Sequence, residues 1–258
     1  MSPTAAQPGL LTFLGHASTM IELDGIRLLT DPVLRPRIAH LRRQVALPGS
    51  RVPPPDAVLV SHQHMDHLDL PSIRGFGRDV RIIAPRGSVR LLSGQGFSRV
   101  EGLDAGDSVA VGPVLVTAVP AEHDGRRWPF RSGEDSIGFL VEGSRSVYFA
   151  GDTDVYDEMA VHLPGVDLAL MPVWGWGPTL GPGHMDPEAA AKATGLIRPR
   201  LAVPIHWGTL FPIGLGRWRN HLLHRPPREF ADMVGDYSPE TEVRVLSPGE
   251  STGIDSPG

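Results

Sequence analysis

Short apolar runs separated by turn residues dominate the chain, and few stretches carry a helical period. Leu11–Leu14, Thr19–Leu23 and Ile26–Thr30 read as strands, with Asp24-Gly25 as the tight turn of a hairpin between the second and third. Ala57–Val60 is a continuous apolar run of strand length, followed by Leu68–Arg74 as a short helix and Val80–Ala84 as a strand. Residues 87–94 predict a helix. Between 98 and 120 short strands alternate, with Gly112-Pro113 as a hairpin turn, and 137–142 with 146–150 form a further hairpin. Val166–Met171 and Arg200–Ile205 are core strands. They flank a helix opened by Asp186-Pro187-Glu188, with aspartate as N-cap and proline at the first helical position, running to about Gly195. A helix over 228–234 and a strand over 242–246 precede a polar tail. Residues 32–56 have no period and predict a long loop with one helical turn, and 124–135 a loop that could cover a pocket.

Polar groups gather where these strands end. Directly after Ala57–Val60 stands Ser61-His62-Gln63-His64-Met65-Asp66-His67. Side chains two apart on an extended chain point the same way, so His62 and His64 aim at one point. Once the chain turns, Asp66 and His67 can project to a second point nearby, which suits two metals. A histidine-rich surface loop is the competing reading of this stretch alone. Three further residues share its placement, however: His123, Asp152 and His206 each follow an apolar strand within one or two positions, where ligands of α/β sheets collect.

Composition narrows the chemistry. The chain has 258 residues, enough for one large α/β domain, and no long linker or change of composition divides it. It has 0 cysteines, which excludes disulfides, thiolate metal sites and cysteine nucleophiles and leaves imidazole and carboxylate as metal ligands. With 24 basic against 29 acidic residues, a nucleic-acid or anionic-membrane surface is not expected. No apolar run approaches membrane-spanning length and Met1–Gly9 lacks the pattern of a signal peptide, so a cytoplasmic protein is the expectation.

The sequence resembles the metallo-β-lactamase superfamily, whose His-x-His-x-Asp-His motif stands here as His62, His64, Asp66 and His67. It is most similar to the branch containing N-acyl-phosphatidylethanolamine phospholipase D and L-ascorbate-6-phosphate lactonase. The stretches that carry this are Gly15–Ser18, Thr30–Pro32, Ser61–Asp69, Tyr148–Thr153, His184–Glu188 and Ile205–Thr209. After His123 the chain reads Asp-Gly-Arg-Arg-Trp, keeping the branch's Trp-Ser-Gly-Arg only in part. The resemblance implies a four-layer αβ/βα sandwich over residues 1–258, with about nine N-terminal and ten C-terminal residues flexible. It also implies a dinuclear centre at one edge. His62, His64 and His123 would hold one divalent ion, Asp66, His67 and His206 the other, and Asp152 would bridge. Zn2+ suits this ligation, with Mn2+ or Fe2+ as alternatives.

Such a centre predicts a hydrolase acting through a bridging hydroxide, with Asp66 among the catalytic residues and no covalent intermediate. His184, outside the metal set, is expected to donate a hydrogen bond or proton to the oxyanion or leaving group. His16 and Asp31 are expected behind the ligands, holding them in place. Trp128, Trp174 and Trp176, with Phe130, are candidates for a substrate pocket. A small-molecule phosphodiester, including a lipid-derived one, is the first expectation for the substrate, and a sugar-acid-like lactone the second. An iron-dependent redox protein or a non-catalytic binding protein on the same fold are the readings of another class. The oligomeric state is not legible. His221 and His224 are assigned nothing, and Lys192 is expected on the surface.

Overall fold

A computed structural model describes residues 9–46, 52–124, 135–163, 165–215 and 220–254. In chain order its strands are β1 (Leu10–Gly15), β2 (Ser18–Leu23), β3 (Ile26–Thr30), β4 (Arg37–Ile38), β5 (Leu41–Arg43), β6 (Ala57–Leu59), β7 (Ile82–Pro85), β8 (Val100–Leu103), β9 (Ser108–Val111), β10 (Val114–Asp124), β11 (Asp135–Glu142), β12 (Ser146–Phe149), β13 (Leu168–Pro172), β14 (Leu201–Ile205), β15 (Leu210–Pro212), β16 (Glu242–Val243) and β17 (Ser251–Gly253). The helices are α1 (Leu70–Arg74), α2 (Val89–Gly94), α3 (Met159–His162), α4 (Pro187–Ile197) and α5 (Pro226–Tyr237). One sheet runs β17-β1-β2-β3-β6-β7-β8 and a second β16-β14-β13-β12-β11-β10-β9.

Strand alternation builds the layers. In β6 and the residue after it, Ala57 and Leu59 enter the core between the sheets, while Val58 and Val60 pack outward with Ile73 of α1 and Leu92 of α2. In β12 and β13, Val147, Phe149, Leu168 and Leu170 point inward. Tyr148, Ala169 and Met171 face Ala190, Ala191 and Ile197 of α4 and Phe230 of α5. The order is therefore helices, sheet, sheet, helices, the expected αβ/βα sandwich. α4 begins as its sequence predicts, with the Asp186 carboxylate accepting from the Ala189 N–H and proline in the first turn.

Three segments differ from expectation. The described part of residues 32–56 contains a hairpin, β4 and β5, and no helical turn. β5 pairs with β15 (Leu210↔Arg43, Pro212↔Leu41) to make a third, three-stranded sheet. At the C-terminal end, β17 pairs with β1 as an edge strand (Leu10↔Gly253, Thr12↔Ser251), so the tail expected to be flexible is partly built into the first sheet. The strand expected over 242–246 is confined to Glu242–Val243. No described helix is long and apolar enough to cross a membrane.

Candidate metal centre

The expected ligands converge at the edge where strands of both sheets end. Past β6 the chain delivers His62, His64, Asp66 and His67. β10 brings His123, the turn after β12 brings Asp152, and the end of β14 brings His206. The turn between β1 and β2 adds His16, and the end of β3 adds Asp31. Backbone conformation marks the place: His16 (φ 58°), Asp31 (φ 32°) and His206 (φ 62°) are all left-handed without being glycine. Gly151 (φ 62°), just before Asp152, must be glycine on two grounds, because a Cβ there would lie 2.6 Å from Ser61 Cβ.

Besides the overlapping set Asp31, His62 and His67, the side chains form two groups whose ligand atoms all lie within 4.8 Å of one another. One is His62, His64, His123 and Asp152, and the other His16, Asp66, His67 and His206. Asp152 joins them, with Oδ2 3.8 Å from His62 Nε2 and 3.1 Å from His67 Nε2, and Oδ1 3.3 Å from His206 Nε2.

Hydrogen bonds on the far side of each ring set which nitrogen faces inward. Carboxylates and carbonyls only accept, so His67 Nδ1–H donates to Asp31 Oδ2 (2.6 Å), His206 Nδ1–H to the Trp174 carbonyl (2.7 Å) and His123 Nδ1–H to the Gly183 carbonyl (2.8 Å). The Ser61 hydroxyl gives its proton to Asp31 Oδ2 (2.6 Å), so it accepts from His62 Nδ1 (2.9 Å). In their neutral forms, the rings of His62, His67, His123 and His206 then turn lone pairs inward at close quarters. His67 Nε2 is 3.0 Å from His206 Nε2, and His123 Nε2 is 3.2 Å from His64 Nδ1. His62 Nε2 and Asp152 Oδ1 are buried with no hydrogen-bond partner. Lone pairs and carboxylates facing one buried point repel unless positive charge sits among them, and this donor set fits divalent cations.

The electrostatics carry the same demand. Burial pushes Asp66 and Asp152 up, yet the imidazoles around them, His67 foremost for Asp66 and His206 for Asp152, hold both well below the usual carboxylate range. Burial would push His67 down, but Asp152, Asp66 and Asp31 outweigh it and raise the ring well above its ordinary value. At three other rings burial outweighs the nearby carboxylates: His62 falls well below its ordinary value, His123 to about 4 and His16 to about 3. Asp31 is raised by burial.

His184 stands at the mouth. Its Nε2 is 3.3 Å from Asp152 Oδ2, its Nδ1 meets the Pro182 (3.1 Å) and Gly181 (3.2 Å) carbonyls, and its ring centroid is 4.7 Å from His123. Acceptors at both nitrogens favour the imidazolium. Its pKa is raised despite the opposing effect of burial, chiefly through the Asp152 bond. Trp174 turns its indole N–H to the Gly177 carbonyl (3.1 Å). Trp176 lies edge-on to His40 (5.0 Å) and packs with Met65 against Val33, Ile38, Leu41 and Leu210 of the small sheet and its approaches. Trp128 and Phe130 lie outside the described residues. His221 and His224 belong to neither ligand group.

The model for the beta-lactamase superfamily domain matches residues 26–207. The chain belongs to the metallo-β-lactamase superfamily. Within that superfamily it is 34% identical to a UPF0173 metal-dependent hydrolase of Methanopyrus kandleri, over 93% of this chain and 98% of the relative. It is 30% identical to an N-acyl-phosphatidylethanolamine-hydrolyzing phospholipase D of Caenorhabditis elegans, over 79% of this chain and 64% of that one. The solved structure of Igni18, a metallo hydrolase from Ignicoccus hospitalis, superposes with a TM-score of 0.72 at 24% identity, over 97% of this chain and all of that one, a likeness of fold. As a metallo-β-lactamase superfamily member with such relatives, the protein is a metal-dependent hydrolase.

Some contributors gave no signal of their role in the sequence. Ser61 and Thr209 lie within recognisable stretches, yet their hydroxyl bonds to Asp31 and to the His16 N–H depend on chain segments far apart. Trp174 and Gly183 act through carbonyls, which every residue possesses. Arg43 of β5 is buried and donates to the carbonyls of Leu14 and Val33, next to the turns that carry His16 and Asp31, and burial lowers its guanidinium to about 10.

Proposed function

We propose that this hydrolase holds two divalent cations, Zn2+ by preference for imidazole ligands, and cleaves a phosphodiester. His62, His64 and His123 would hold one ion, Asp66, His67 and His206 the other, with Asp152 shared. The observation that carries the reading is the approach of inward ring nitrogens to 3.0 and 3.2 Å of one another, with buried Asp152 reaching both groups. Two such ions supply a nucleophile from water near neutral pH and polarise the substrate's reacting oxygen.

The chain's own part is to fix the ligands and to handle the leaving group. Asp31 and the Trp174 and Gly183 carbonyls hold the imidazoles in the tautomer that offers a lone pair inward. His184, favoured as imidazolium beside Asp152, can give the Nε2 proton to a departing alkoxide, as general acids do. Met65, next to Asp66 in the chain, and Trp176 pack half-buried on the apolar cluster of the small sheet and would offer an apolar surface to the non-reacting part of the substrate. The phosphodiester is supported by the similarity to the C. elegans phospholipase D.

The test is elemental analysis of the wild type and Asp152→Ala, with hydrolysis of bis(p-nitrophenyl) phosphate and of a simple lactone. Two ions per wild-type chain and phosphodiester turnover are expected. Loss of the shared carboxylate should lower occupancy and reduce kcat by on the order of 10^3, about 4 kcal/mol. Turnover of the lactone alone would replace the substrate reading, and full metal content in Asp152→Ala would remove the shared-ligand role.

A further inference from the structure

His16 carries more contacts within the centre than a supporting side chain needs. It lies in the turn between β1 and β2 of the first sheet and is buried. Its backbone N–H donates to Thr209 Oγ1 (2.7 Å), and its carbonyl accepts from the N–H of His206 (2.8 Å), at the end of β14 in the second sheet. Its ring stands 4.0 Å from that of His206, centroid to centroid, and its Nε2 is 2.9 Å from Asp66 Oδ2. The carboxylate can only accept, so the proton of the ring sits on Nε2, and Nδ1 faces a buried place without a partner. One residue thus fixes the carboxylate of one expected ligand and the backbone of another. The ring contacts it makes are with His67 (5.6 Å) and His206, all in one half of the centre.

We propose that His16 is a positioning residue for the Asp66, His67, His206 half, and that removing its side chain weakens the ion there while sparing the one held by His62, His64 and His123. The inference rests on the two-ion reading above. Its alternative is that His16 is itself a ligand, because 2.9 Å also suits two donors sharing one cation. The two roles separate chemically. A positioning residue needs only an N–H aimed at Asp66, which glutamine can supply. A ligand needs the imidazole lone pair, which an amide does not replace.

The experiment is competition titration of Zn2+ against a chromophoric chelator on wild type, His16→Ala and His16→Gln, each checked by circular dichroism. Visible spectra of the Co2+-loaded proteins provide a readout independent of activity. Two equivalents are expected in the wild type. In His16→Ala one should bind about 10- to 100-fold more weakly, the range for residues that orient ligands from behind, and the other should be unchanged. His16→Gln should recover most of that loss. A second measurement avoids dependence on how glutamine fits: His16→Ala made in an Asp66→Ala background should add nothing further if His16 acts through Asp66. Equal weakening of both equivalents, an additive double variant, or a His16→Gln as weak as His16→Ala would overturn the proposal. A wild type that binds a single equivalent overturns the two-ion reading and this inference with it.

Discussion

The two halves of the centre are built from the same kinds of side chain and placed in different surroundings. His16, Asp66, His67 and His206 are all buried, whereas in the other group His62 and Asp152 are buried and His64 and His123 are only half-buried. The enclosed half holds its own carboxylate, Asp66, and has Asp31 behind His67. There His67 is driven above its ordinary pKa. The open half is three imidazoles beside the shared Asp152, and there burial drives His62 and His123 below theirs, as it does His16 in the enclosed half. On the two-ion reading, enclosure beside Asp66 and Asp31 would favour a firmly held cation, and partial exposure would leave the other half the one a substrate could reach. His184 stands on the open side, nearer to the His123 ring (4.7 Å) than to that of His206 (6.2 Å).

The strongest way to break this contrast is to remove one supporting group from each side. His184→Gln should lower kcat by about 10^2 or more, the usual contribution of a general acid, and leave metal content intact. Asp31→Ala should do the reverse first, weakening metal binding by roughly 10- to 100-fold. Metal titrations beside steady-state rates distinguish them, and a His184→Gln enzyme short of metal would erase the contrast. A smaller effect is expected in the order of metal loss. Graded chelator should strip the ion from the half-exposed group before the enclosed one, giving two phases when residual metal is followed against time. A single phase would mean that burial does not set lability here.

The smallest effect concerns pH and the protein stripped of metal. Unfolded histidines protonate near 6.5, whereas folded His123 does so only near 4 and His16 near 3. Between pH 6.5 and 4 the unfolded chain therefore binds more protons, and stability should fall as pH falls through that window. His67 and His184 are raised, so their contribution is complete below 6.5 and fades as pH rises above it. A plot of Tm against pH for chelator-treated protein should decline on the acid side of 6.5. A flat acid limb would show that the rings are not held neutral.

Much of this arrangement could be read in the residues, because it is local. The Asp24-Gly25 hairpin, the apolar strand before His62, and the Asp186-Pro187 helix start each depend on neighbours a few positions away. Placement just after apolar strands marked His123, Asp152 and His206 as candidates, the resemblance gave them roles, and the fold brings them beside the motif. What stayed hidden depends on partners far along the chain. Arg37–Ile38 and Leu41–Arg43 are too short to show a period and become strands because Leu210–Pro212 pairs with them. β17 is ordered by the free edge of β1. The contact of His16 with Asp66 crosses 50 positions, and its backbone bond to His206 joins the two sheets.

Ligands drawn from both sheets have a consequence for how the molecule is made. His67 and His206 stand 139 positions apart and touch at the centre, in a chain with no cysteine to form a covalent bridge. A cation held between them, as proposed above, would tie one sheet to the other much as a disulfide does, and the long loop it would close is the kind whose tethering most restricts an unfolded chain. During synthesis that tie can be made only after residue 206 has emerged and the sheets have met. Metal capture would then be the closing event of folding, and a chain that mispacks its sheets would forgo both the cross-link and the chemistry.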